Sequence, residues 1–267
     1  MKLAIIGAGN MAKAIIQAVL KGNVTAAPDI TASDTNPAKL EALQNSLKIN
    51  ITADNSSAIN QADVIILAIK PQNIDEFSQE VSGKFAPGQL IISILAGTPL
   101  KRLTGKLGHN EIIRAMPNTP AQIGEGMTVW TCPKEVSPEQ KDKAEAILSS
   151  MGRALFVEDE NYINMATAVS GSGPAYFFLF MEYLSQTAER LGFDTKTARE
   201  LVLQTALGSV KYAASSGKDP ADLREQVTSP GGTTAEAISR FNSGGLKETI
   251  DKAVTAAYQK AIEMSKD

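Results

Sequence analysis

Glycine, hydroxyl and amide residues, rather than histidines or cysteines, occupy the positions in this chain that could do chemistry. Gly7-Ala8-Gly9-Asn10-Met11-Ala12 follows the apolar run Lys2–Ile6 and opens a stretch with apolar residues at helical spacing. In such a turn the first glycine permits the tight bend. The second lets the backbone approach a pyrophosphate lying at the positive end of a helix. Ala12, at the third position, is small enough for close helix–strand packing. A lone Gly-x-Gly is weak, and an ordinary tight turn is the competing reading. The strand–turn–helix context at the start of the chain favours a dinucleotide.

The ribose end of such a ligand is read where the second strand stops, at Ser33-Asp34-Thr35-Asn36. Asp34 aimed at a 2′-hydroxyl favours NAD(H) and repels the 2′-phosphate of NADP(H). Asp34 turned away would leave Ser33, Thr35, Asn36 and Lys39 to hold that phosphate, and the residues alone do not choose. Two further segments stand at strand ends, Ala68-Ile69-Lys70-Pro71 and Ile94-Leu95-Ala96-Gly97. Lys70 is the cation among them, with a solvated loop lysine as the alternative.

Ser229-Pro230-Gly231-Gly232-Thr233-Thr234 precedes a helical pattern over 234–241. Thr233 followed by Glu236 has the form of a capping box, and the glycines expose N–H groups that suit a carboxylate. Ser170-Gly171-Ser172-Gly173-Pro174 interrupts another helical pattern, where glycine costs about 1 and proline about 3 kcal/mol. A kink approached by a ligand and a tight helix crossing both explain it. His109 reads as a solvated turn residue and Cys132 as structural.

These loops need elements to hold them. Lys2–Ile6, Asp29–Ser33, Asp63–Ile69, Gln89–Ile94, Glu111–Ala115, Thr128–Thr131 and Arg153–Val157 read as strands alternating with helices, among them Asn10–Lys21 and Pro37–Ser46. That alternation implies a mostly parallel, doubly wound α/β sheet of Rossmann type over residues 1–157. Past Val157 the strand signals stop, and 158–267 reads as an all-α domain. Its alanine faces (Ala253, Ala256, Ala257, Ala261) make a thin core for a helical domain standing alone. They point to self-association.

Composition removes several chemistries. One cysteine and one histidine leave no intrachain disulfide and no Cys/His zinc site, so no metal is expected. A net charge of −3 offers no basic field for nucleic acid. No run approaches the roughly 20 apolar residues that cross a bilayer, and no secretory signal is apparent. A soluble cytoplasmic protein is expected, using a borrowed reagent.

Three motifs narrow this further: Arg114-Ala115-Met116-Pro117-Asn118-Thr119-Pro120, Ser170-Gly171-Ser172-Gly173-Pro174-Ala175-Tyr176 and Val227-Thr228-Ser229-Pro230-Gly231-Gly232-Thr233-Thr234. In this order, behind Gly-Ala-Gly-Asn-Met-Ala and Ala-Ile-Lys-Pro, the chain closely resembles the pyrroline-5-carboxylate reductases, from about residue 3 to the last helix. The resemblance implies NAD(P)H-dependent reduction of 1-pyrroline-5-carboxylate to L-proline, the last step of proline biosynthesis. Hydride passes from the nicotinamide to the imine carbon. It also implies a homodimer with interleaved C-terminal helices, the substrate site at the subunit interface, and dimers joined into larger rings.

Carried over residue by residue, the cofactor would meet Gly7, Ala8, Gly9, Asn10, Met11, Ala12, Ser33, Asp34, Asn36, Asn55, Ala68, Ile69, Lys70, Pro71, Leu95, Ala96, Gly97 and Asn118. The substrate carboxylate would be held at the Gly-Gly-Thr-Thr helix N-terminus by Ser229, Gly231, Gly232, Thr233 and Thr234, with Thr234 also assisting protonation of the ring nitrogen. Glu160 matches a position that reaches the proline site, and a solvated helix-start glutamate is the alternative. The family accepts both cofactors and commonly favours NADP(H), with NAD(H) possible. Asp34 departs from the serine of some members. Two rivals remain: a reductase of the β-hydroxyacid dehydrogenase type, and a non-catalytic NADP-sensing regulator. The first needs a substrate-side lysine, and Asn161–Arg190 contains none. The second has no use for a carboxylate pocket.

Overall fold

The computed structural model describes residues 1–266. Its strands are β1 (Leu3–Ile6), β2 (Ile30–Ser33), β3 (Asn50–Thr52), β4 (Val64–Leu67), β5 (Leu90–Ser93), β6 (Ile112–Met116), β7 (Gly126–Thr131) and β8 (Gly152–Phe156). The intervening helices are α1 (Asn10–Lys21), α2 (Pro37–Leu47), α3 (Asn55–Asn60), α4 (Ile74–Val81), α5 (Leu100–Leu107) and α6 (Pro138–Ser149). After β8 come α7 (Asn161–Ala166), α8 (Gly173–Arg190), α9 (Thr195–Ser216), α10 (Pro220–Gln226), α11 (Thr233–Ser243) and α12 (Leu246–Met264).

The strands form one eight-stranded sheet in the order β3-β2-β1-β4-β5-β6-β7-β8. Adjacent strands from β3 through β6 pair in parallel, whereas β7 runs against β6 and carries β8 alongside it. Strand order reverses between β1 and β4, which opens a crevice at their carboxyl ends. Register aligns those ends: Ile6 stands opposite both Ser33 and Leu67, so Gly7, Asp34 and Ala68 emerge side by side.

The apolar runs of β1, β4 and β5 are buried along their whole length because helices cover both faces. Ile5, Ile15, Ile66 and Trp130 belong to one apolar layer, and Ile6, Ile65, Leu67 and Phe77 to the other. The α/β Rossmann sheet followed by helices is the fold class the sequence implies. β3 is not among the expected strands. It is an edge strand of three residues, Asn-Ile-Thr, with no apolar run to mark it.

Contacts divide the chain into two compact units, residues 1–172 with the chain end from 257, and residues 173–256. The sequence changes character at 157, where β8 has just ended. The first unit nevertheless continues to 172, because α7 packs on β6 and β7, and Gly171 lies against Met116. Between α7 and α8 the chain makes a π-helical turn, Thr167–Gly171, so 161–190 is not one continuous helix. Pro174 sits in the first turn of α8, where a missing N–H is harmless.

In the second unit Asp194 caps α9 by accepting from Thr197 N–H, and α8 packs along α9. The thin core is evident: its buried apolar side chains are Ala198 and Val202, while Phe177 and Phe178 are 67% and 60% exposed. No helix among the described residues is long and apolar enough to cross a membrane.

Candidate active site

The glycine turn after β1 is built by two different demands. Gly7 has φ +105°, and a Cβ there would lie 2.7 Å from the Ala68 carbonyl oxygen. Its N–H donates to the Ser33 carbonyl at 2.7 Å, which ties the ends of β1 and β2 together. Gly9 has ordinary extended geometry and caps α1 with no side chain over the helix end. Nothing lies within 4 Å of where its Cβ would be. The first N–H groups of a helix have no intrahelical partners. An open helix N-terminus reached only by a glycine backbone fits a pyrophosphate.

The crevice beside this turn has a volume of about 370 Å³. Gly7, Gly9, Ser33, Asp34, Asn55, Ala68, Ile69 and Lys70 from the expected cofactor set line it, together with Thr35 and Lys39. Asp34 is turned onto the backbone: Oδ2 accepts the Ala8 N–H at 2.7 Å and Oδ1 the Asn36 N–H at 2.8 Å. Ser33 Oγ donates to Asn55 Oδ1 at 2.6 Å, and Asn55 Nδ2 donates to Glu80 Oε2 at 2.7 Å. Gln72, Asn73, Glu76, Phe77 and Glu80 also line the crevice and are absent from the sequence-derived set. They belong to the turn and helix that Pro71 starts, and that proline was the available signal.

Other members of the set lie outside this crevice. Ala8 and Asn10 flank Gly9, and Met11 and Ala12 continue into α1, Ala12 being buried. Asn36 caps α2, accepting from Ala38 and Lys39 N–H. Pro71 opens a short 3₁₀ turn. The Leu95 side chain is buried in the apolar layer, with half-buried Ala96 beside it. Gly97 is closed by α12, for a Cβ there would lie 2.6 Å from Met264 Cβ. Asn118 follows β6, and its amide is engaged at both atoms. Nδ2 donates to the Ser170 carbonyl at 3.0 Å, and Oδ1 accepts the Met127 N–H at 2.9 Å.

Ser229, Gly231, Gly232, Thr233 and Thr234 come together in the second unit, on the turn entering α11. Gly231 has φ +71° and Gly232 N–H donates to the Ser229 carbonyl at 3.0 Å. The expected capping box does not form. Gly232 takes the cap position, which moves Thr233 into the first turn, and Glu236 pairs with Arg240 at 3.0 Å instead. The helix end therefore has no side-chain cap, and its N–H groups remain available to an anion. Thr234 is half-buried beside them, whereas Ser229 and Thr233 are exposed.

Glu160 is not a solvated helix-start glutamate. Its Oε1 accepts from buried Arg114 Nη1 and from Leu100 N–H, both at 2.8 Å. His109 is likewise buried, not a solvated turn residue, with Nε2 2.6 Å from the Gln89 carbonyl oxygen. Half-buried Cys132 has its thiol pushed upward by burial, with nearby Lys141 opposing.

Two domain families match the chain. Residues 160–264 match a pyrroline-5-carboxylate reductase dimerisation domain, and residues 2–97 an NADP oxidoreductase, coenzyme F420-dependent domain. The pyrroline-5-carboxylate reductase of Pseudomonas aeruginosa is 41% identical over 99% of this chain and 97% of its own. The solved structure of the Coxiella burnetii pyrroline-5-carboxylate reductase superposes with TM-score 0.92 at 37% identity, covering 100% of this chain and 99% of that one. That of the Plasmodium falciparum enzyme, with NADP bound, gives 0.90 at 28% identity over 99% and 98% of the two chains.

Proposed function

The chain belongs to the pyrroline-5-carboxylate reductase family, and we infer that it reduces 1-pyrroline-5-carboxylate to L-proline, the last step of proline biosynthesis. It is an oxidoreductase acting on a CH–NH bond with NADP(H) as cofactor. The observation that carries the reading within the molecule is the open N-terminus of α1 behind Gly9, beside a crevice lined by Lys39 and Lys70.

When bound, the reduced nicotinamide supplies the hydride. The residues of the chain bind and orient the reactants. Gly7, Gly9 and the first N–H groups of α1 hold the pyrophosphate. Lys39 and Thr35 receive the 2′-phosphate, while Asp34 is committed to the Ala8 and Asn36 amides. Ala68-Ile69-Lys70-Pro71 and the half-buried Ile94 and Ala96, at successive strand ends, border the remainder of the cofactor, with Met116–Asn118 at its nicotinamide end. In the second unit, Ser229, Gly231, Gly232 and Thr233 present the N-terminus of α11 to the substrate carboxylate. The Thr234 hydroxyl donates toward the ring nitrogen.

The enzyme works as a homodimer, and the exposed aromatic face of α8 is the surface that a partner covers. We place it in the cytoplasm, in keeping with a single free cysteine. Calorimetric titration with NADPH and with NADH tests the crevice: saturable binding, tighter for NADPH, is expected. An absence of binding by either nucleotide contradicts the assignment.

A further inference from the structure

One strand and its exit hold both ends of the segment that follows β8. Arg114, buried in β6, donates from Nη1 to Glu160 Oε1 at 2.8 Å and from Nη2 to Asn164 Oδ1 at 3.0 Å. Ser265 Oγ lies 3.1 Å from Asn164 Oδ1 and 2.9 Å from the Ala261 carbonyl oxygen, its one proton shared between them, which brings α12 up to the same network. Asn118, just beyond β6, donates to the Ser170 carbonyl at 3.0 Å while its own oxygen is fixed by Met127 N–H.

Between those two attachments lies the π-helical turn Thr167–Gly171, closed by Ser172 N–H donating to the Thr167 carbonyl at 2.8 Å. The wide turn presses Gly171 onto Met116, where a Cβ would lie 3.0 Å from Met116 Cε. A π turn is rare and recurs at functional sites; this one is held from α7 before it by Arg114 of β6 and at Ser170 within it by Asn118, just beyond that strand. Charged Arg114 is 2% exposed. Burying a guanidinium is unfavourable unless its partners are well placed; here Nη1 and Nη2 are paired, while among the described residues Nε has no hydrogen-bond partner.

We propose that Arg114 and Asn118 are positioning residues: they set the stand-off between the Thr167–Gly171 turn and the Met116–Asn118 end of β6. The proposal rests on the reading of that end of the sheet as the nicotinamide end. It assigns Asn118 a bracing role in place of a simple cofactor contact. It gives Glu160 a part in the reaction through Arg114. Because Gly7, Gly9 and Lys39 are untouched, loosening the brace should leave nucleotide affinity intact and misplace the reacting groups.

The test uses full-length Asn118→Ala, Asn118→Asp and Ser265→Ala. Asn118→Asp keeps the acceptor for Met127 and loses the donor to Ser170. Ser265→Ala is a mild change that serves if the other variants fold poorly. Amide hydrogen exchange of the free protein is expected to quicken in residues 161–172 in each variant. NADPH affinity should stay within about twofold and kcat for the imine should fall about tenfold for the Asn118 variants, since small misplacements act on the chemical step. Unchanged exchange overturns the brace whatever the activity. Faster exchange with unchanged kcat, or a loss of NADPH affinity that accounts for the loss of activity, overturns the positioning role. Failure of the unaltered protein to turn over the imine is a failure of the nicotinamide reading instead, and is recognised by exchange that still quickens in the variants while the unaltered protein has no activity.

Discussion

The Asp34 carboxylate is bonded to the glycine turn, with Oδ2 accepting the Ala8 N–H at 2.7 Å while Oδ1 accepts the Asn36 N–H. An acidic residue at the end of the second strand ordinarily reads a ribose 2′-hydroxyl. Here both of its oxygens are already engaged, Oδ2 on the glycine turn and Oδ1 on its own loop at Asn36.

That arrangement predicts how cofactor preference responds to substitution. Asp34→Asn should weaken NADPH and NADH by similar factors, up to about tenfold, as one charge-assisted bond is lost. Lys39→Ala should raise KM for NADPH and leave NADH nearly unchanged. Steady-state kinetics with each nucleotide decides, and improved use of NADPH over NADH in Asp34→Asn would show the carboxylate reading the ribose after all.

The two glycines of the turn should fail differently. Gly7→Ala forces a side chain into positive φ against the Ala68 carbonyl. Strain of about 1–3 kcal/mol is expected, with a lowered Tm. Gly9→Ala meets nothing in the protein, so Tm should hold while the added methyl blocks the pyrophosphate. Thermal unfolding with and without NADPH checks both. A normal NADPH-induced rise in Tm for Gly9→Ala would remove that residue from the binding site.

The second unit predicts dependence on a partner. Phe177, Phe178 and Tyr183 of α8 are all more than half exposed, against a core of Ala198 and Val202. Light scattering should give at least twice the chain mass, and Phe177→Asp should shift it toward monomer with loss of activity. An unaltered protein that is monomeric and active at micromolar concentration contradicts the homodimer.

Cys132 should be a slow nucleophile. Burial raises its pKa, so at any given neutral pH less thiolate is present than in the unfolded chain. Alkylation by iodoacetamide at pH 7 should be much slower in the native protein, and its rate should level off only above the ordinary thiol range, whereas that of the unfolded chain levels off within it. Equal native and unfolded rates would contradict this.

Much of the site was legible because glycine and proline carry backbone demands in their identity. Gly7-Ala8-Gly9 behind a buried strand fixed the place of the crevice, and Ser33-Asp34 fixed its far edge. What side chains do once folded was harder to read. The orientation of Asp34, the pairing of Glu160 with Arg114 and the burial of His109 depend on partners distant in sequence. The pattern Thr233…Glu236 fits a capping box, but the neighbouring glycine took the cap. β3 escaped because an edge strand of Asn-Ile-Thr carries no apolar signal.

The central claim, imine reduction with the carboxylate held at the entry to α11, is tested most directly by NADPH oxidation with 1-pyrroline-5-carboxylate, for the unaltered chain and for Thr234→Ala. Turnover by the unaltered chain is expected, with kcat reduced in Thr234→Ala and NADPH affinity preserved. No turnover with NADPH or NADH would contradict the account, and an unchanged kcat/KM for the imine would take Thr234 out of the reaction.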